Sequence, residues 1–278
     1  MHIQRDQVAV ITGAAGGIGR GLAQVAGERG LRLVLSDVDG AGLQVLEQEL
    51  RARGVETVTQ VADVGDPAQV DALRELAERR FGGVDLLFNN AGVIQTGFCW
   101  EVSHEQWQRM LHINLQGVVN GIRSFVPPML ARARPAHVVN TASLAGLISS
   151  PMMGPYTVTK QAVVALSETL HYELAMLQAQ IGVSVLCPGP VASAIMASNQ
   201  SAGATTGALD ALLDSSIRQG MDPCELARQV FAGIEAGRFW LLPHKSFKPA
   251  LQRRLTSVLE ESNPIFEMVE VEEDSHGA

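Results

Sequence analysis

Tyr156 and Lys160 stand four residues apart near the start of a helical stretch, Pro155–Gln178, so their side chains share one face a turn apart. A phenol titrates near about pH 10 and is a poor base at neutrality. A neighbouring ammonium favours the phenolate and lowers that value. A shift of about three units needs roughly 4 kcal/mol of differential stabilisation. A lysine on a wet surface does not supply this, whereas a lysine with further charge in a closed site can. Upstream, Ser143 ends an apolar run, where its hydroxyl can hold a substrate oxygen while Tyr156 moves a proton. Any helix surface can carry a tyrosine and a lysine at this spacing. The pair gains weight from Ser143 and from a glycine loop at the front of the chain.

That loop reads TGAAGGIG at Thr12–Gly19, directly after a β-branched run and at the opening of a helical pattern. Gly13, Gly17 and Gly19 let the backbone turn tightly and approach a pyrophosphate, whose charge then sits at a helix N-terminus. The spacing is GxxxGxG; Ala15 holds the second glycine position of the GxGxxG form. Asp37 ends the next strand, where a carboxylate can accept hydrogen bonds from adenosine ribose hydroxyls and would repel a 2′-phosphate. Val38 follows it, so no basic residue there offsets the charge. NAD is favoured over NADP, with Arg20 and Arg32 leaving the choice open.

The elements that must position these residues alternate regularly. Val8–Thr12, Leu31–Asp37, Val55–Val61, Val84–Phe88, His137–Ser143 and Val183–Cys187 read as strands, with Phe239–Leu242 as a seventh. Gly17–Glu28, Ala41–Arg53, Pro67–Arg80, Ser103–Arg132 and Pro155–Gln178 read as helices, with a break inside the fourth. The pattern predicts an α/β fold with parallel strands joined by right-handed helical crossovers. The strands are apolar without strict alternation, as expected when helices cover both faces. Ile195–Gly220 is rich in small residues, follows a strand end and reads as a substrate lid, within about 190–220.

A chain of 278 residues with no repeats and no low-complexity linker suits one large domain, here 1–245, followed by a helix at Phe247–Leu259 and an acidic tail within 246–278. The net charge of −8 disfavours a nucleic-acid surface. The run Glu270–Asp274 reads as a solvated tail. Cys99, Cys187 and Cys224 are odd in number and far apart, which suits free thiols in a reducing compartment. No signal-peptide core follows Arg5 and Asp6, and no apolar run approaches the ~20 residues of a membrane span. The expectation is a cytoplasmic protein with no membrane partner. No HExxH or CxxC cluster appears, and His104, His112 and His171 read as ordinary surface or core residues, so no metal is expected.

Thr12–Gly19, the NNAG run at Asn89–Gly92, Asn114, Ser143, Tyr156 with Lys160, and Pro188–Gly189 together resemble the short-chain dehydrogenase/reductase family, in order and spacing, from about residue 6 to 245. The resemblance implies a Rossmann-like, doubly wound domain of about seven parallel strands, commonly a homotetramer or homodimer. It implies NAD(P)-dependent oxidoreduction of CH–OH groups. Tyr156 would be the general acid/base, and Lys160 would bind the nicotinamide ribose and depress the tyrosine pKa. Ser143 would orient the substrate oxygen, and Asn114 would hold a water in a relay with Lys160. The glycine loop with Ile18, Asp63 with Val64, and Asn90, Ala91 and Gly92 would contact the cofactor. Pro188, Gly189, Val191 and Ser193 would shape the nicotinamide pocket; the family often has threonine at position 193.

The substrate pocket would come from Leu144–Met153, Gln95–Trp100 and Ile195–Gly220. Leu144, Ala145, Leu147, Ile148, Met152, Met153, Phe98, Trp100, Ile195 and Met196 make its walls apolar. This favours a secondary alcohol/ketone pair on a bulky apolar or aromatic molecule over a carboxylate or phosphate. A polyol dehydrogenase of the same family is the alternative substrate reading. Other classes are a lyase-like member, which would tend to lose the glycine loop or its acid, and a non-catalytic dinucleotide sensor, which would tend to lose Tyr156 or Lys160. All of these residues are present. Small residues in the fourth and fifth helices, Gly117, Gly121, Ala162 and Ala165, would let a second subunit approach closely.

Overall fold

A computed structural model describes residues 1–203 and 206–266; the acidic run at 270–274 lies outside them. Seven parallel strands form one sheet: β1 (Val8–Thr12), β2 (Arg32–Asp37), β3 (Thr57–Val61), β4 (Leu86–Asn89), β5 (Ala136–Thr141), β6 (Ile181–Leu186) and β7 (Trp240–Leu241). Their order is β3-β2-β1-β4-β5-β6-β7. The strands are continuously apolar because both sides of the sheet are covered. Ala9, Ile11, Leu33 and Leu35 join a core beneath α1 (Gly17–Glu28) and α2 (Gly40–Ala52). Val8, Val10 and Val34 face α3 (Pro67–Phe81), α5 (Gly117–Arg132) and α6 (Gly154–Met176) on the other side. The Rossmann-like reading holds, with β1 where it was expected and the other strand ends shifted by at most two residues.

Four local expectations are corrected. The break expected inside Ser103–Arg132 is a change of winding. α4 (His104–Met110) runs through a π-helical turn at Leu111–Gln116 into α5, and Met110, Leu111 and Gly117 keep right-handed helical dihedrals. Gly117 and Gly121 face inward. A Cβ on Gly117 would lie 2.6 Å from Val64 Cγ2, and one on Gly121 would collide with Asn89 Oδ1, so their small size serves this chain's own packing. Within 195–220, where no helix was expected, lie a 3-10 turn, Ile195–Ser198, and α7 (Gly207–Arg218).

The fourth is a helix that strand–helix alternation did not mark, α8 (Pro223–Glu235). Asp222 caps it by accepting from the Cys224 and Glu225 N–H groups, and proline occupies its first turn. Those are ordinary start signals. Its Leu226, Val230, Phe231 and Ile234 are buried against the α1 side of the sheet. Beyond β7, Phe247 is fully buried among Val163, Val185 and Cys187, which seats the start of α9 (Lys248–Leu259) on the main core. Among the described residues no helix is long and apolar enough to cross a membrane, and no three His, Cys, Asp or Glu side chains cluster as metal ligands.

His137 on β5 is almost wholly buried, and its Nε2 meets the Ser184 hydroxyl at 2.8 Å. That hydroxyl donates to the Arg238 carbonyl, so it accepts from the imidazole. Burial pushes the His137 pKa down from 6.5 to about 4. A folded value below the unfolded one means stability is complete above the unfolded pKa and is lost as pH falls toward the folded one. At about 1.4 kcal/mol per unit, roughly 2 kcal/mol of this contribution disappears between pH 7 and pH 5. Urea unfolding at the two pH values should show that much steeper a loss in the wild type than in His137→Gln. Equal losses in the two proteins would refute the assignment.

Candidate active site

The carboxyl ends of the strands open onto one cleft of about 2500 Å³. A single small ligand needs about 300–1,000 Å³, so this space can take an extended molecule together with a second one.

At one end lies the glycine turn. Gly13 and Gly17 have φ of +65° and +49°, which only glycine adopts without cost. A Cβ on Gly19 would collide with the Gly13 carbonyl, and one on Gly17 would lie 2.8 Å from Ser193 Cβ. Gly16 meets nothing within 4 Å and faces the cleft. The N-terminus of α1 carries no side-chain cap, so its orphan N–H groups and helix dipole are left for an anion. A pyrophosphate fits this donor set. Asn90 braces the turn: its Nδ2 donates to the Thr12 carbonyl at 3.0 Å and the Gly13 carbonyl at 3.3 Å. The Thr12 hydroxyl accepts from the Asn90 and Ala91 N–H groups.

Asp37 borders the same end, its carboxylate accepting from the Ala15 N–H at 2.9 Å and the Asp39 N–H at 3.1 Å. The two arginines that bear on cofactor choice are engaged. Arg20 is paired with Glu49 at 2.5 Å. Arg32 sits at the opposite end of β2 from Asp37 and pairs with Asp6 and Glu56. Asp63, Val64, Ile18, Ala91 and Gly92 line the cleft as well. Asp63 has a partner that spacing gave no signal for, His112, whose Nε2 lies 3.2 Å away.

The candidate catalytic residues converge midway. Ser143 stands two residues past the end of β5 and caps a short 3-10 turn, Leu144–Gly146, by accepting from the Ala145 N–H. Tyr156 and Lys160 are nearly or wholly out of contact with water, at 8% and 3% exposure. Lys160 Nζ donates to the Thr141 carbonyl at 2.9 Å and lies 5.7 Å from the centre of the Tyr156 ring. Burial lowers the Lys160 pKa to about 8, against an opposing pull from Cys187. Burial also raises the Tyr156 pKa, and the Ser143 hydroxyl only partly offsets this. The lysine by itself therefore does not bring the Tyr156 pKa down. Asn114, on the π-helical turn, is fully buried and spends both ends of its amide on Val93, accepting from its N–H and donating to its carbonyl.

Pro188, Gly189, Val191 and Ser193 border the middle of the cleft. The Gly189 N–H donates to Nδ1 of His244, a cleft-lining histidine that no motif marked. At the far end Leu144, Ala145, Ile148, Met153 and Ile195 form the walls, joined by Leu209, Leu212 and Leu213 of α7. Met196 packs beside Met153 and Tyr156 without lining the cleft, and Leu147 is buried in the core. Gln95–Trp100 does not reach it either: Phe98 stacks on Trp100 at 4.9 Å, and Trp100 is 80% exposed. Arg228 and Lys245 border the cleft, so its apolar character comes from these walls and not from a lack of cations.

A model of the short chain dehydrogenase family matches residues 7–204. The CLA biosynthesis dehydrogenase/reductase of Lactiplantibacillus plantarum is 32% identical over 94% of this chain and 96% of its own. C alpha-dehydrogenase of Sphingobium sp. strain SYK-6 is 31% identical over 99% and 90%. The 1-deoxy-11-beta-hydroxypentalenate dehydrogenase of Streptomyces avermitilis is 35% identical over 77% and 81%. A Burkholderia phymatum short chain dehydrogenase/reductase, solved in complex with NAD, superposes with a TM-score of 0.94 at 38% identity, covering 96% and 99% of the two chains.

The glycine contacts separate two roles by substitution. Gly19→Ala should cost about 3 kcal/mol through overpacking against backbone, seen as a lower unfolding midpoint. Gly16→Ala should leave the midpoint unchanged. Equal midpoints for both variants would show that the turn is not closed by the Gly13–Gly19 contact.

Proposed function

The chain belongs to the short-chain dehydrogenase/reductase family of nicotinamide-dinucleotide oxidoreductases, and we propose that it interconverts a secondary alcohol and a ketone on a bulky apolar substrate with NAD(H). The observation that carries the reading is the convergence of half-buried Ser143 with buried Tyr156 and Lys160 beside an uncapped helix N-terminus in one cleft. NAD is supported by Asp37 at the cleft edge and by the engagement of Arg20 and Arg32 elsewhere, which leaves neither to neutralise a 2′-phosphate. The Burkholderia relative has NAD bound.

The nicotinamide, when bound, supplies or accepts the hydride. In reduction the Ser143 hydroxyl donates a hydrogen bond to the carbonyl oxygen, and Tyr156 transfers its proton to that oxygen as the carbon becomes an alcohol. The raised tyrosine pKa keeps this proton in place at neutrality. In oxidation the proton returns to Tyr156, and Lys160 stabilises the phenolate. With one N–H committed to Thr141, Lys160 has two donors left for the nicotinamide ribose and the site. Asn114 fixes the Val93 backbone that walls the site. Leu144, Ile148, Met153 and Ile195 with the α7 leucines provide an apolar seat for the substrate body. A relative named for a hydroxypentalenate, which carries a carboxylate beside its alcohol, supports a substrate with one CH–OH group over a polyol.

Fluorescence titration should show NADH binding more tightly than NADPH. Tyr156→Phe should bind NADH as the wild type does while losing about 10²–10⁴-fold in turnover of aryl and alicyclic alcohols. Preferential NADPH binding would reject the Asp37 argument. Polyol turnover without aryl or alicyclic turnover would reject the apolar substrate.

A further inference from the structure

Between the loop that follows β4 and the segment entering α7, one carboxylate gathers donors from both sides. Asp210, in the first turn of α7, accepts on Oδ1 from the Thr96 hydroxyl at 2.7 Å and from Asn199 Nδ2 at 3.0 Å. On Oδ2 it accepts from the Ser201 hydroxyl at 2.5 Å. Thr96 is fully buried, and its N–H donates to Asn199 Oδ1 at 3.0 Å. Neighbouring rungs continue the seam. The Ile94 N–H donates to Ser198 Oγ, Gln95 Nε2 to the Gln200 carbonyl, and the Ala202 N–H to the Thr96 carbonyl.

The seam joins two walls of the cleft. Its loop side continues directly from Val93, the residue held by Asn114. Its other side carries α7, whose Leu209 and Leu213 line the cleft and pack on the cluster of Ile94, Met153 and Tyr156. Burial disfavours the Asp210 charge, but hydrogen bonds from Ser201, Thr96, Thr206 and Asn199 more than compensate and hold its pKa below the usual carboxylate range. The carboxylate is therefore ionised at neutral pH, and bonds to an ionised acceptor are roughly twice as strong as neutral ones. Other charged groups nearby are otherwise engaged. Arg109 donates to the Ser198 carbonyl, Asp214 pairs with Arg218, and Glu101 lies against Gly203.

We propose that Asp210 is a positioning residue that latches α7 to the loop after β4 through Thr96, Asn199 and Ser201, and so controls substrate entry and retention at the apolar end of the cleft. The assignment rests on that end receiving the substrate. The glycine turn and Asp37 lie on other elements, so the latch acts on the substrate and leaves the dinucleotide end alone.

Hydrogen exchange at the Thr96 and Ala202 amides reads the latch without any substrate. Asp210→Ala and Thr96→Val should each speed exchange there at least tenfold. The double variant should go no faster than the faster single one, because the two changes remove one interaction. NADH affinity should stay within twofold of the wild type, while KM for an accepted alcohol rises at least fivefold and kcat changes less. Asp210→Asn, which keeps one acceptor oxygen, should fall in between. Unchanged exchange in both single variants, or additive effects in the double, would overturn the latch. Faster exchange with unchanged KM would overturn its control of the substrate. Faster exchange with no alcohol turnover by any form would leave the latch standing and overturn the substrate reading.

Discussion

Between β1 and β4 the strand order reverses, so the chains leaving these adjacent parallel strands turn to opposite sides of the sheet. A crevice opens at that point, and polar backbone at two strand ends must be satisfied there. Thr12 and Asn90 do this: the threonine hydroxyl takes two N–H groups from the β4 side, and the asparagine amide reaches back to two carbonyls on the β1 side. The brace holds the glycine turn while the N-terminus of α1 stays uncapped toward the cleft. It also fixes the start of the loop that leads through Val93 to the contacts with Ser198 and Asn199. The glycine-turn end and the apolar end of the cleft are thus both referred to one cross-strand contact.

Burial is the second organising force. Tyr156 and Lys160 lie on the first turns of α6 and are carried beneath the cleft floor, where desolvation opposes charge on each. The lysine keeps its place by donating to a strand carbonyl. The tyrosine stays protonated at neutral pH because burial raises its pKa. A pair at the same spacing on a wet helix face would have neither property, which is why the tertiary setting matters more here than the four-residue interval.

The apolar end of the cleft is built differently. Its walls are apolar and contributed by segments distant in the chain, and their mutual position is set by a polar seam outside the cleft. An apolar contact has no direction, so leucines alone would let α7 slide. Hydrogen bonds converging on Asp210 supply the geometry that the leucines lack.

Much of this was legible in the chain itself. Glycines at Thr12–Gly19, the acid at Asp37 and the Ser143, Tyr156 and Lys160 set all lie at or near strand ends and helix starts. Local residue types govern those positions, so sequence alone determined the fold class and the order of its strands along the chain. What it could not determine depends on which distant surfaces meet. Gly117 and Gly121 resemble a subunit-pairing face until Val64 and Asn89 are seen against them. Trp100 resembles a pocket wall until it is found stacked on Phe98 in solvent. His112 beside Asp63, His244 beneath Gly189 and the contact of Asp210 with Thr96 have no spacing signature, because the partners lie 49, 55 and 114 residues away. Contacts of that range are chosen by packing of the whole sheet, and only the tertiary structure decides them.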